Sequence, residues 1–200
     1  YINIEFGVFA IGDSSFSRFT GLSKISIPST VKVIGRNAFS GCTSLASITL
    51  PPELEEIGAN AFLGCTSLSC IEIPETVTVI GDGAFINCTA FTELTLPSSI
   101  KEIAGRLVSG CSSLSVIKCN AELTSIGKEA FSGCTSLKRI SFGDDDSTED
   151  RKIVLPKSIT TIKKGVFNDC TQLLEIDAQH QSKIEENAFK GCTSLTTVLV

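Results

Sequence analysis

The chain predicts an α/β solenoid: coils stacked side by side, a parallel sheet along one flank and short helical or 3₁₀ segments along the other. Three observations carry this expectation. An Ile, most often followed by Gly, recurs at Ile11, Ile34, Ile57, Ile80, Ile103 and Ile126, each 23 residues after the last, and again at Ile162 and Ile184. Counting that Ile as position zero, a Phe stands at position five, a Cys at eight and a Leu at eleven in most copies. Positions fourteen and sixteen are apolar with polar neighbours, the period-two mark of a strand with one buried face. A period in this range belongs to coils that each need a neighbour to bury their apolar side.

The strand comes from Ile25, Ile48, Ile71, Leu94, Ile117, Ile140, Ile176 and Val198 at position fourteen, with position sixteen behind them. Pro28, Pro51, Pro74 and Pro97 follow at position seventeen, ending the strand where a missing N–H is tolerated. The opposite arc reads Ala-Phe-x-Gly-Cys. Its position seven is Gly, Asn or Asp in all copies but the first, which has Arg18. These residues adopt positive φ most readily, so each short helix is expected to end there in a left-handed cap. Position nine is always Thr or Ser, predicting a ladder of hydroxyls that satisfies backbone groups freed at the turn.

Repetition overrides the prior of one or two globular domains for 200 residues. Residues 1–200 are expected to form a single solenoid of about eight 23-residue repeats, with an insertion at 143–152. Ile2 and Ile4 at one end, Val198 and Val200 at the other, occupy strand positions without polar caps. The expectation is a fragment of a longer protein whose open ends self-associate end to end. A net charge of −5 gives no basic footprint for nucleic acid. No apolar run is long enough for membrane insertion.

The segment Ile-Pro-Ser-Thr-Val-x-x-Ile-Gly-x-x-Ala-Phe-x-Gly-Cys-Thr-Ser-Leu, from Ile27 to Leu45, resembles the BspA-like (Treponema-type) leucine-rich repeats, and the likeness covers nearly the whole chain. The resemblance implies a right-handed leucine-rich-repeat superhelix with its parallel sheet on the concave face. It also implies a cell-surface or secreted protein, several relatives being adhesins or binders of host matrix. Unpaired thiols fit poorly with an oxidising compartment, which keeps a cytoplasmic location as the alternative. The chain departs from the pattern at Arg18-Phe19, at Leu107-Val108 with Asn120 in place of Pro, and at the insertion. Around the insertion both Ile140-Ser141-Phe142 and Ile153-Val154-Leu155 fit the strand pattern. One is expected to continue the sheet and the other to form a hairpin arm or excursion.

Seven of nine cysteines share position eight, where stacked equivalents point in parallel and cannot bridge. They read as buried free thiols acting as small apolar plugs, an idea suggested by Phe19 at the same position. Cys70, at position thirteen, is expected to face outward and to react first. Zinc spacing is approached only by Cys65 and Cys70, which should point apart, so no metal is assigned. Asp144, Asp145, Asp146, Glu149 and Asp150 offer oxygen ligands but lack the alternation of a calcium loop, and read as a solvated loop. With one histidine, His180, no nucleophile, base and orienting group can be assembled, and no cofactor motif is present. The chain is therefore expected not to be an enzyme.

What remains is a surface. Outward strand positions thirteen and fifteen form the candidate contact face, with Glu72, Glu93, Thr95, Lys118, Arg139, Glu175 and Asp177 as its candidate contacts. The expected function is a non-enzymatic protein-binding or adhesion module that takes a protein or glycan ligand on this face. The alternative is a spacer, display or intracellular scaffold with no ligand site here, since mixed charge is also what a solvated face carries.

Overall fold

The computed structural model describes residues 1–143 and 151–200. They form a parallel β-solenoid of about eight coils, wound around one continuous column of buried side chains. Sixteen short strands among the described residues fall into two ladders. The first holds β1 (Ile2–Asn3), β3 (Ile25–Ser26), β7 (Glu93–Thr95), β9 (Val116–Cys119), β11 (Arg139–Phe142), β12 (Lys152–Val154), β14 (Glu175–Asp177) and β16 (Thr197–Leu199). The second was not foreseen. It runs along the Ile anchors as β2 (Ala10–Ile11), β4 (Val33–Ile34), β5 (Glu56–Ile57), β6 (Val79–Ile80), β8 (Glu102–Ile103), β10 (Ser125–Ile126), β13 (Thr161–Ile162) and β15 (Lys183–Ile184). All pairs are parallel and in the register of the repeat, as Ile34↔Ile57 and Ile57↔Ile80 show.

The arc opposite the first ladder is not helical; no helix occurs among the described residues. The backbone explains why. Position three is left-handed as well as position seven, with φ of 54° at Asn37 and 74° at Gly41, and the same pair recurs in every coil. Two left-handed residues four apart break any helical run into β-turns. The N–H groups then alternate in direction. Ala38, Ser40 and Cys42 donate back within their own coil, to Gly35, Asn37 and Phe39. Asn37, Phe39 and Gly41 donate forward to Ala59, Ala61 and Leu63 of the next coil, at 2.7–2.9 Å. Several coils use glycine at position one for a different reason: a Cβ on Gly81 would stand 2.4 Å from the Ala59 backbone nitrogen of the preceding coil, whereas Ala104, Lys163 and Glu185 hold the position in other coils.

Inside, the Phe16, Phe39, Phe62 and Phe85 rings stack with centroids 5.4–5.6 Å apart and planes 7–11° from parallel. Val108 interrupts the column, which resumes at Phe131, Phe167 and Phe189. The cysteines of position eight are free and their thiols are more than plugs. Each donates to the position-five carbonyl of the preceding coil, from Cys42 on Phe16 to Cys192 on Phe167, at 2.9–3.3 Å. Phe19 is no counter-example, because it lies in the first coil, about half exposed, with no earlier Phe carbonyl beneath it.

The hydroxyl ladder at position nine is partial. Thr89, Thr135 and Thr171 donate to the position-nine carbonyl one coil back. A fuller ladder lies just after the proline turn. There Thr30, Thr76, Ser99 and Ser158, with the Gln181 amide in the same role, donate to Val8, Leu54, Val77, Leu123 and Ile159.

Around the insertion neither strand is an excursion. β11 pairs with β9 and β12 pairs with β14, both inside the first ladder. The arcs on either side still stack directly, Phe131 N–H on Val166 O and Gly133 N–H on Asn168 O. The added chain is thus absorbed on one flank, as one extra strand. The acidic residues 144–150, and with them the calcium question, lie outside the described residues.

Replacing Phe62 by Ala should remove a fully buried ring from the middle of the column and cost about 3–5 kcal/mol, read as the shift of a denaturation midpoint. Thr171→Val should cost about 1 kcal/mol through its lost bond to Thr135, whereas Thr66→Val, whose hydroxyl makes no such bond, should be near neutral.

Candidate binding face

Alternation places positions fourteen and sixteen in the column, so positions thirteen and fifteen of the first ladder point out. Glu72, Glu93, Thr95 and Lys118 are exposed, while Arg139, Glu175 and Asp177 are half-buried. The structure therefore splits the seven candidates into an open group before β11 and a crowded group from β11 onward. Crowding follows the extra strand: Ser141 is buried, and β12 brings Lys152 against Glu175 at 3.1 Å. Lys152 was missed because the insertion shifts it out of the 23-residue count.

Much of the charge is satisfied along the ladder. Glu93 meets Lys118 on the next strand at 2.6 Å, with both side chains about half exposed. Such a pair contributes about 0–1 kcal/mol and leaves little free charge for a ligand. Of the candidate acids, Glu93 and Glu175 are thus paired along the ladder. Glu75, at the rim, accepts bonds from the Ser98 N–H and hydroxyl at 2.9 and 2.7 Å, which hold its carboxyl below its ordinary value.

Between β3 and β7 the face changes character. The bonds that Ile2 and Ile4 donate to Lys24 and Ser26, and Leu96 to Lys118, have no counterpart among the described residues at Ile48, Leu50, Ile71 or Ile73. The same coils stay joined through β4, β5 and β6 and along the arc. A groove of about 600 Å³ opens over Ser47–Leu50 and Cys70–Glu75. A second, of about 560 Å³, adjoins it through Cys70–Ile73 and reaches Glu93 and Thr95. Cys70 is at their junction, the one thiol of nine that is exposed, Cys192 being half-buried and the rest buried.

Among the described residues no group of His, Cys, Asp and Glu is placed to hold a metal ion. No helix among them is long and apolar enough to cross a membrane. Burial pushes the inward thiols up, Cys65, Cys111 and Cys119 to about 12. They are poor nucleophiles and their reactivity is suppressed.

Two consequences can be measured. Brief alkylation of the native protein near neutral pH should modify Cys70 first, with the seven buried thiols reacting only on denaturation and the half-buried Cys192 between; peptide mapping checks this, and early modification of Cys88 would contradict the register. Stability should also fall at alkaline pH. A folded thiol whose pKa is raised keeps its proton when the unfolded thiol has lost it. Its stabilisation is complete below about pH 9 and is lost as pH rises toward 12, which denaturant midpoints across that window should follow.

Comparison with known proteins agrees with the coil. A leucine-rich repeat protein from Bacteroides ovatus is 34% identical, with a TM-score of 0.76 over 98% of this chain and 59% of that one. The chain thus spans about three fifths of that relative's length. The Treponema pallidum leucine-rich repeat protein is 28% identical, with a TM-score of 0.60 over 94% of this chain and 72% of that one. A leucine-rich cell surface protein from Faecalibacterium prausnitzii, 22% identical, has the same fold at a TM-score of 0.58, over 99% of this chain and 86% of that one. No curated protein matches the chain. The model of the BspA type leucine rich repeat region matches residues 9–138 and 141–200, in six copies. This repeat family is generally a non-enzymatic binding scaffold. The chain belongs to the BspA-type leucine-rich repeat family.

Proposed function

We propose that the chain is a non-enzymatic protein-binding module of a cell-surface protein, with the exposed part of the first ladder, Ser47 to Lys118, as its contact face. The observation that carries this reading is the open groove over Ser47–Glu75. It interrupts the first ladder and leaves a cleft with an apolar floor on that face. A location at the cell surface is supported by the Faecalibacterium prausnitzii protein, described as a leucine-rich cell surface protein, although that likeness is one of fold. The family's commonest role, protein binding, supports the module reading.

The spacer reading draws on a different observation. Glu93–Lys118 and Lys152–Glu175 satisfy their charges within the ladder, as an ordinary solvated face does. The two readings separate in a pull-down of the 200-residue chain against matrix proteins and glycans. The binding module retains a ligand, and reversal at Glu72 lowers retention while reversal at the distant Lys32 does not. Retention of nothing, or retention indifferent to both changes, would favour the spacer.

A further inference from the structure

Resting on that binding reading, the groove itself specifies a chemistry. Its two parts are lined by Glu72, Glu75 and Glu93, and no Lys, Arg or His lines either. Lys118 offsets Glu93, whereas Glu72 and Glu75 have no ion-pair partner among the described residues, Glu75 being held by the neutral Ser98 and Glu72 by nothing. Beneath the rim, Leu50, Ile71, Ile73, Pro52, Pro74 and Pro97 supply an apolar floor. The N–H groups of Ile48, Leu50, Ile71 and Ile73 make no hydrogen bond there. The ladder closes again where Lys118 spans to Glu93. A comparable opening between β6 and β8 differs in charge, because Lys101 lines it along with Asp82 and Glu102.

We propose that the groove over Ser47–Leu50, Cys70–Glu75 and Glu93–Thr95 takes an extended, lysine- or arginine-bearing segment of a protein partner. An extended segment presents side chains alternately to its two sides. One row suits the Ile71 and Pro74 floor, and the other carries ammonium or guanidinium groups to Glu72 and the acidic rim. An acidic segment would meet uncompensated carboxylates in the same place, and a neutral one would forgo the rim. Specificity therefore comes from the sign of the charge, and affinity from the floor.

Cys70 lies in both halves of the groove and reports on its occupation. The intact 200-residue protein is alkylated with a neutral reagent, and the rate at Cys70 is followed by peptide mapping. One sample holds an alternating Lys-Val octapeptide, a second its Glu-Val counterpart, and a third free lysine. The Lys-Val peptide should slow alkylation several-fold, and the other two should leave it unchanged. Glu72→Gln should weaken that protection by about two- to fivefold, the worth of one exposed ion pair, and Glu72→Lys should abolish it. Both variants must retain the wild-type melting midpoint, which an exposed position permits. No protection by any peptide, equal protection by both, or protection indifferent to Glu72→Lys would overturn the proposal. If the pull-down retains a ligand that responds to Glu72→Lys while no peptide protects Cys70, the binding reading stands and the basic-segment proposal fails.

Discussion

Every coil depends on a bond it cannot make alone. In the arc, alternate N–H groups turn back into their own coil and forward into the next, so half of the arc's donors are satisfied only by a neighbour. The position-eight thiol adds a third connection, filling the position-five carbonyl that already accepts a bond within its own coil. Because unpaired buried backbone groups are costly, this interlock and the burial of the Ile, Phe and Leu column act together. Neither survives in an isolated coil. Stability is accordingly a property of adjacent pairs, the expected behaviour of an array held by nearest neighbours.

The same constraint clears the outside for binding. With the backbone engaged between coils and the large side chains inside, the strand residues at positions thirteen and fifteen carry little structural duty beyond occasional ion pairs. They can vary from Ser47 and Thr49 to Glu72 and Lys118 without disturbing the column. What distinguishes the face is local: the ladder opens over two coils, then tightens where β12 joins. A partner meeting this protein would encounter an accessible acidic groove before β7 and a more enclosed, ion-paired surface after β11.

The column was legible because its residues recur at one interval and each placement is confirmed by many copies. The outward position of Cys70 and the left-handed position seven followed from the same count. Position three was legible only in part and was missed. Asn37, Asn60, Gly83, Gly165 and Asn187 favour positive φ, but Ser14, Arg106 and Glu129 announce none, and there the two-turn arc forces it on them. The helix expectation failed for that reason. Helical spacing and tandem β-turns place the same Phe and Cys inside, so the buried pattern alone could not choose between them. The hydroxyls after the proline were visible as a recurring Ser or Thr, yet their partners lie a full coil away and no local rule links the two. The groove left no mark in the sequence at all, since it consists of ladder bonds that are not made.

At the insertion, the ladder flank advances by two strand spacings, through β11, β12 and β14, while the arc advances by a single coil. A stack lengthened on one side only must lean toward the other, as a wedge between flat bricks tilts a wall. The lean depends on one added strand and very little on what that strand is made of. Surplus chain can thus re-aim an array of otherwise identical units, presenting what lies beyond it in a new direction without altering a single buried side chain.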